Sequence, residues 1–296
     1  MAKLLKQPVR LALVQLACTA DKAHNLSHAR AKVLEAVNEH KARIVVLPEC
    51  FNSPYGTKYF GSYAETLLPS PPTAEQSPSF HALSKLAAEA QVYLVGGSIP
   101  EKHPTSKDLY NTCLTFSPTG ELIATHRKVH LFDIDIPGKI KFKESEVLSP
   151  GNDITMVDLP EYGKIGIAIC YDIRFPELAT IAARKGAFLL LYPGAFNMTT
   201  GPAHWELLAR SRAVDNQAYV GLCSPARDMS ADYHAWGHSM IVDPNAESLG
   251  HLDEKEGIVI AELSGDRIEE VRKGIPVYSQ RRFDVYADVS KVGPTS

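Results

Sequence analysis

The chain has 296 residues, of which 45% are hydrophobic and 22% charged, a balance that is ordinary for a folded globular protein and excludes a disordered one. Its 31 Lys and Arg residues against 34 Asp and Glu residues give a formal net charge of −3, which argues against nucleic-acid binding because that function needs a strongly basic face. No apolar run approaches the ~20 residues that a membrane span requires.

In the first half of the chain, short strand-like runs alternate with helical periodicity. Leu26, Ala29 and Val33 recur on one helical face, whereas Ile44–Leu47 is a brief apolar run typical of a strand buried on both faces. The predicted elements are a strand at 9–16, a helix through 26–37, a strand at 44–47, a loop at 61–79, a helix at 80–90, a strand at 92–99, a hairpin of strands 110–116 and 121–128, and a long loop at 131–153. Since loops beyond ~15 residues are uncommon in compact domains, we expect the long loop to be functional.

The second half continues the alternation. The predicted elements are a hairpin of strands 154–159 and 164–170, a helix at 176–185, a strand at 187–192, a helix at 202–216, a strand at 218–223, a hairpin across 238–252, a strand at 257–262, a short helix at 266–272 and an extended tail. Neither a repeat nor a linker-like change of composition interrupts the chain. We therefore predict one α/β domain over residues 1–296, with helices covering the faces of a mixed sheet.

Three candidate catalytic residues lie at the ends of predicted strands. Cys170 closes an apolar strand just before a helix, where α/β folds place ligands, and a thiol there can be a nucleophile or a small core hydrophobe. Glu49 follows the strand at 44–47; burial would raise its pKa toward that of a general base, and the alternative is a half-exposed cap. Lys128 closes the strand at 121–128 and is either a surface residue or an oxyanion stabiliser.

Together the three residues predict amide chemistry. A cysteine nucleophile, a glutamate that takes its proton and a lysine that stabilises a tetrahedral intermediate form a complete set. Other signatures are absent from the sequence: phosphate-binding glycine loops, Cys-x-x-Cys, His-Glu-x-x-His and Gly-x-Ser-x-Gly. His126 and His130 lie on a strand-to-loop segment and are expected to be ordinary polar residues, and we predict no metal site.

Three segments resemble, in order, the signatures of the nitrilase superfamily. They are Val46–Glu49 (VLPE), His126–Phe132 (HRKVHLF) and Gly166–Glu177 (GIAICYDIRFPE). The similarity runs from about residue 8 to 288. Within the superfamily, the loop sequences at 132–139, 142–146 and 148–151 resemble the ω-amidase branch.

The resemblance implies a four-layer αββα sandwich, subunits that pair into a homodimer, and no metal or organic cofactor. It also implies hydrolysis of the terminal amide of 2-oxoglutaramate and 2-oxosuccinamate, which are small anionic 2-oxo acid amides. By similarity Glu49 is the general base, Lys128 the oxyanion stabiliser and Cys170 the nucleophile, and Glu144 helps to position substrate and lysine. The matching substrate-pocket positions are Tyr55, Arg174, Phe196 and Thr200.

Several alternatives stay open at this point. An amidase of deaminated glutathione shares the same substrate head group, and nitrile or N-carbamoyl hydrolases are more distant rivals. A function of another class is a catalytically silent dimeric scaffold, against which the intact Glu49, Lys128 and Cys170 set argues.

The expected location is the cytoplasm, with a mitochondrial fraction as the alternative. The first residues carry neither an apolar secretory segment nor an Arg-rich transit peptide. Five dispersed cysteines, an odd number, predict free thiols in a reducing compartment.

Overall fold

Two β-sheets lie face to face, and helices cover their outer faces, in the computed structural model, which describes residues 3–291. The strands are β1 Val9–Gln15, β2 Ile44–Val46, β3 Tyr93–Val95, β4 Ile99–Lys102, β5 Leu109–Phe116, β6 Leu122–Arg127, β7 Asp133–Ile136, β8 Ile140–Lys143, β9 Thr155–Leu159, β10 Gly163–Ile167, β11 Ala187–Pro193, β12 Tyr219–Cys223, β13 Met240–Val242, β14 Ser248–His251 and β15 Gly257–Leu263. The helices are α1 Lys22–Asn38, α2 Thr57–Tyr63, α3 Pro78–Ala90, α4 Pro176–Arg184, α5 Gly201–Asn216 and α6 Gly265–Gly274.

The first sheet has the order β15-β1-β2-β3-β5-β4, with β6 paired to β5. In it β1, β2 and β3 run parallel, and their neighbours pair antiparallel. The second sheet has the order β14-β13-β12-β11-β10-β9, and its parallel strands are β10, β11 and β12. Because the parallel strands of each sheet end at one edge, the segments that follow them gather there.

Successive side chains of β1 point to opposite faces of the sheet, which explains why four layers form. Leu11 and Leu13 join the core between the sheets, whereas Ala12 and Val14 point the other way and pack in the cluster that contains α1 and α3. A Cβ on Gly221 of β12 would lie 3.3 Å from the Leu13 side chain and 3.5 Å from that of Leu11, so the glycine lets the two sheets pack closely here. A strand that is apolar on both faces therefore reads as a continuous hydrophobic run.

The four-layer α/β architecture expected from the resemblance is confirmed, but several element predictions were wrong. In place of the single mixed sheet there are two large sheets and a separate two-stranded one. The loop at 61–79 overlaps α2 and the start of α3, and the strand at 92–99 is broken at Gly97, which has a φ of +63°. The loop at 131–153 contains the β7–β8 hairpin and a 3₁₀ turn at Glu144–Glu146. Local sequence does not encode which strand a segment will pair with, so such short pieces are missed.

Two further points concern the ends of the chain and its helices. The predicted domain spans 1–296, but residues 1–2 and 292–296 lie outside the described part of the chain. No helix within residues 3–291 is long and apolar enough to cross a membrane.

Candidate active site

Glu49, Lys128 and Cys170 meet at the edge where the parallel strands end. Glu49 follows β2, Lys128 follows β6 and Cys170 follows β10 after a short connection. The Lys128 Nζ lies 3.0 Å from Glu49 Oε1, and Cys170 is close enough for the charge of Glu49 to raise the pKa of its thiol. Their relative exposures are 1%, 0% and 3%, so the three groups form one buried cluster.

Three donors hold the Glu49 carboxylate. Lys128 and the Asn111 amide, at 2.8 Å, donate to Oε1, and the backbone N–H of Ala195 donates to Oε2 at 2.7 Å. Burial raises the pKa of Glu49, and although the ammonium of Lys128 opposes this, the pKa remains above its ordinary value of 4.5. The carboxylate is thus fixed in direction and made more basic, as a general base requires.

Lys128 lies between two carboxylates. Its Nζ is 3.0 Å from Glu144 Oε2 as well as from Glu49. Burial lowers the pKa of Lys128, but the charges of Glu144 and Glu49 outweigh that effect and hold the pKa well above 10.5. The lysine therefore keeps its positive charge inside the protein.

Glu144 is held in turn by the 3₁₀ turn and its surroundings. The Tyr55 hydroxyl donates to Oε1 at 2.8 Å, and the backbone N–H of Phe132 donates to Oε2 at 2.7 Å. Tyr55 stacks on Phe142 of β8 and packs against Tyr233, with ring centroids 5.8 and 4.5 Å apart. These contacts tie the hairpin to the site.

Cys170 has an unusual backbone. Its φ of +47° lies in the left-handed region, at the start of a 3₁₀ turn over Cys170–Arg174. A Cβ on Gly194 would lie 3.0 Å from Cys170 Cα, so a glycine is needed beside it. Burial, and next the charge of Glu49, raise the pKa of the thiol well above 9.0. The resting cysteine is therefore a thiol that needs a base before it can attack.

The remaining predicted residues are Arg174, Phe196 and Thr200. The Arg174 guanidinium lies 4.7 Å from the Phe196 ring centroid and 3.2 Å from His204 Nδ1, and its Nε has no hydrogen-bond partner among the described residues. Burial lowers its pKa. Thr200 is buried, and its hydroxyl bonds Asn197 Oδ1 at 3.3 Å. Arg174 and Phe196 thus form a pair with free donor capacity, and Thr200 is already bonded.

A cavity of about 250 Å³ opens beside the cluster. Glu49, Ser53, Tyr55 and Tyr233 line it. A larger cavity of about 280 Å³ lies next to Arg127 and includes none of the three central residues. Within residues 3–291, no group of three or more His, Cys, Asp or Glu side chains is arranged to hold a metal ion.

Two site residues were not predicted from the sequence. Asn111 lies inside β5 and donates to Glu49, and Tyr233 donates its hydroxyl to the Ala195 carbonyl at 2.6 Å. Asn111 carries a weak signal, because an amide within a largely buried strand must find a partner. Tyr233 lies in an irregular loop and carries no such signal.

Comparison with known proteins agrees with this geometry. A family model described as "Carbon-nitrogen hydrolase" matches residues 10–273. A protein named "Hydrolase C26A3.11" from Schizosaccharomyces pombe is 58% identical over 280 residues, which cover 95% of this chain and 84% of that one. "Omega-amidase NIT3" from Saccharomyces cerevisiae is 52% identical over 291 residues, covering 98% of each chain.

A solved structure shares the fold. The crystal structure of Nit3 from Saccharomyces cerevisiae, a member of branch 10 of the nitrilase superfamily, aligns with a TM-score of 0.87 and 49% identity, and covers 95% of this chain and 99% of that one. The family expected from the three sequence signatures is confirmed. The chain belongs to the carbon-nitrogen hydrolase family, within the nitrilase superfamily.

Proposed function

We propose that the chain is an ω-amidase that hydrolyses the terminal amide of 2-oxoglutaramate and 2-oxosuccinamate to 2-oxoglutarate or oxaloacetate and ammonia. The buried cluster of Glu49, Lys128 and Cys170 is the observation that carries the proposal, since it joins a nucleophile, a base and a cation at one point. The full-length relative named omega-amidase supports the substrate class.

In the first step Cys170 Sγ attacks the amide carbon while its proton passes to Glu49. The pKa values of both groups are raised, so the proton stays within the pair and no separated thiolate is needed. The electrons of the C=O double bond move to oxygen. Lys128 and the backbone N–H of Tyr171 stabilise that oxyanion, in a water-poor site where charge–charge interactions are strong.

In the second step the intermediate collapses. The C=O bond re-forms, the C–N bond breaks, and Glu49 gives its proton to the nitrogen, so that ammonia leaves and a thioester remains on Cys170. Glu49 then takes a proton from water as the water oxygen attacks the thioester carbon. Collapse breaks the C–S bond, Cys170 regains its proton, and the free acid leaves.

The distal carboxylate of such substrates needs a cation, and we assign that role to Arg174. Its partly unpaired guanidinium lies near Cys170, and a guanidinium can bind a carboxylate with two parallel hydrogen bonds. Phe196 supports its planar face, and Thr200 lies on the same segment. Tyr55 acts here through Glu144, because its hydroxyl already donates to that carboxylate.

The test is ammonia release from a panel of amides by the wild type and by Cys170→Ala. We expect 2-oxoglutaramate to be turned over faster than deaminated glutathione, N-carbamoyl compounds or nitriles, and a thioester on Cys170 to be trapped by mass spectrometry in the wild type alone. Faster turnover of deaminated glutathione would mean that it, and not 2-oxoglutaramate, is the preferred substrate. If no amide in the panel gave ammonia or a covalent adduct, a silent scaffold would be favoured instead.

We also propose that residues 1–296 form one catalytic domain, acting as a homodimer in the cytoplasm. The site draws residues from both sheets, which supports a single domain. Apolar side chains are exposed along α5 and the C-terminal segment, including Leu207 and Val214 on α5 and Val285 in the tail. Exposed apolar groups of this kind support pairing with a second copy.

A further inference from the structure

Asp172 is a fully buried carboxylate that the mechanism above does not use. It lies two residues after Cys170, and its two oxygens accept hydrogen bonds from opposite sides. Buried carboxylates are expensive unless each oxygen is satisfied, so the partners of this one indicate its role.

One oxygen closes the turn that contains the nucleophile. The backbone N–H of Ile169 donates to Asp172 Oδ2 at 2.9 Å, while the backbone N–H of Asp172 donates to the Ile169 carbonyl at 3.0 Å. Cys170 lies inside this doubly bonded turn with its φ of +47°. The two bonds hold a backbone conformation that a non-glycine residue otherwise avoids.

The other contacts reach the segment that carries Lys128. His130 brings both its backbone N–H and its Nδ1 to Asp172 Oδ1, at 2.8 and 2.9 Å, and His126 Nε2 lies 3.3 Å from Oδ2. Each histidine lies two residues from Lys128 in the chain, one before it and one after it. They are therefore not the ordinary polar residues expected from the sequence.

Both histidines are themselves held in place. The His130 ring stacks on Phe175, with centroids 3.6 Å apart and planes 8° from parallel, and His126 Nδ1 lies 2.9 Å from the Thr155 hydroxyl. Hydrogen bonds from the histidines outweigh the effect of burial and hold the pKa of Asp172 well below its ordinary value. The carboxylate is therefore ionised at neutral pH.

We propose that Asp172 is a positioning residue that fixes the Cys170 thiol relative to the Lys128 ammonium by bonding the backbone of both segments at once. This inference rests on the amidase mechanism proposed above. A carboxylate is required because each oxygen accepts from a backbone N–H, that of Ile169 on one side and that of His130 on the other. An asparagine presents only one acceptor, so one backbone N–H would face an NH₂ group.

Asp172→Asn tests the proposal. We expect kcat to fall about 10- to 100-fold with KM within about twofold, since a displacement of a fraction of an ångström affects the transition state more than substrate binding. The rate at which iodoacetamide alkylates Cys170, followed by peptide mass spectrometry, should fall by about tenfold. That second readout needs no amide substrate, so it stands even if the proposed function is wrong.

Asp243→Asn is the matched control. Asp243 is also buried, accepts from the backbone N–H groups of Asn245 and Glu247 and from Arg267, and follows β13 at the opposite end of the second sheet. The Asp243→Asn variant should lose stability as Asp172→Asn does, while its kcat and its alkylation rate per folded molecule stay at wild-type values.

His130→Ala is a milder second variant, because that side chain is 28% exposed and the Ile169 bond is kept. We expect an intermediate loss of kcat. The proposal is overturned if Asp172→Asn retains wild-type kcat and alkylation rate per folded molecule, or, where that variant does not fold, if Asp172→Glu, whose longer side chain displaces both acceptor oxygens, retains them.

Discussion

The protonation of Glu49 determines both halves of the proposed reaction. Its carboxylate must be free to accept the thiol proton and must then carry that proton to nitrogen, so its pKa has to lie between those of a surface carboxylate and an amine. Burial raises the pKa of Glu49 above its ordinary value. Lys128, Asn111 and the Ala195 N–H fix the direction of the carboxylate lone pairs.

We expect kcat/KM to rise with pH along one acid limb whose midpoint lies above 4.5. Below the raised pKa, Glu49 holds a proton and cannot accept another, so activity should fall about tenfold per pH unit. Lys128 has a pKa well above 10.5, so its charge persists and no alkaline loss is expected up to about pH 9.

Steady-state kinetics from about pH 4 to 9 at constant ionic strength measures this profile, with preincubation at each pH to exclude unfolding. A midpoint at or below 4.5, or an alkaline limb near neutrality, would contradict the assignment of these two residues.

Residue identities alone predicted the chemistry but not the residues that hold the catalytic side chains in place. The order Glu49, Lys128, Cys170 and the motifs around them were sufficient to suggest amide hydrolysis. Asn111 bonds Glu49, which lies 62 residues away in the chain, and Asp172 bonds His130, which lies 42 residues away. Such pairings are set by how the strands pack, and no local pattern reports them.

At the scale of elements, the ends of the strands determine the geometry of the site. The segment after β3 lies under the one that carries Glu49: the Ser98 N–H donates to the Pro48 carbonyl at 3.2 Å, and the Cys50 N–H donates to Ser98 Oγ at 3.0 Å. Gly97 makes this approach feasible, because a Cβ there would lie 2.1 Å from the Pro48 carbonyl oxygen.

Gly97→Ala is expected to destabilise the protein by more than the ~1–3 kcal/mol typical of a strained backbone alone, and to lower kcat by shifting Glu49. Urea unfolding and steady-state kinetics measure the two effects. Gly138→Ala is the matched control, because Gly138 has a φ of +71° and its Cβ would meet nothing within 4 Å.

The control should show the backbone cost without the clash, and its kcat should be unchanged. Equal destabilisation of the two variants would mean that the steric argument at Gly97 is wrong.

The long loop at 131–153 shows where element prediction succeeded and where it failed. Its length predicted a functional segment, and the structure places Glu144 of this loop beside Lys128. Its β7–β8 hairpin was missed because Asp133–Ile136 and Ile140–Lys143 each offer only two apolar residues, and the aromatic contacts that hold Phe142 come from distant segments.

At the scale of the whole molecule, the helices cover the outer faces of both sheets but leave apolar groups exposed on α5. Leu207 is 60% exposed and Val214 48%. A two-fold interface repeats each residue on both subunits, so one substitution places two like charges at the contact.

The wild type is expected to run at twice the 32.4 kDa chain mass in light-scattering chromatography, and Leu207→Glu combined with Val214→Glu at the mass of one chain. Met229→Glu is the control, because Met229 is 64% exposed and lies on neither α5 nor the C-terminal segment. A dimeric double variant would show that α5 is not the interface.

The sequence by itself determined the class of the protein, the order of its main strands and helices, and the three residues expected to do its chemistry, because periodicity and motif residues are local properties of the chain. Only the tertiary structure decided that the strands divide between two sheets and that Asn111, Asp172 and Tyr233 support the site. Burial, hydrogen-bond partners and raised pKa values depend on which distant segments pack together, and packing is a property of the folded chain as a whole.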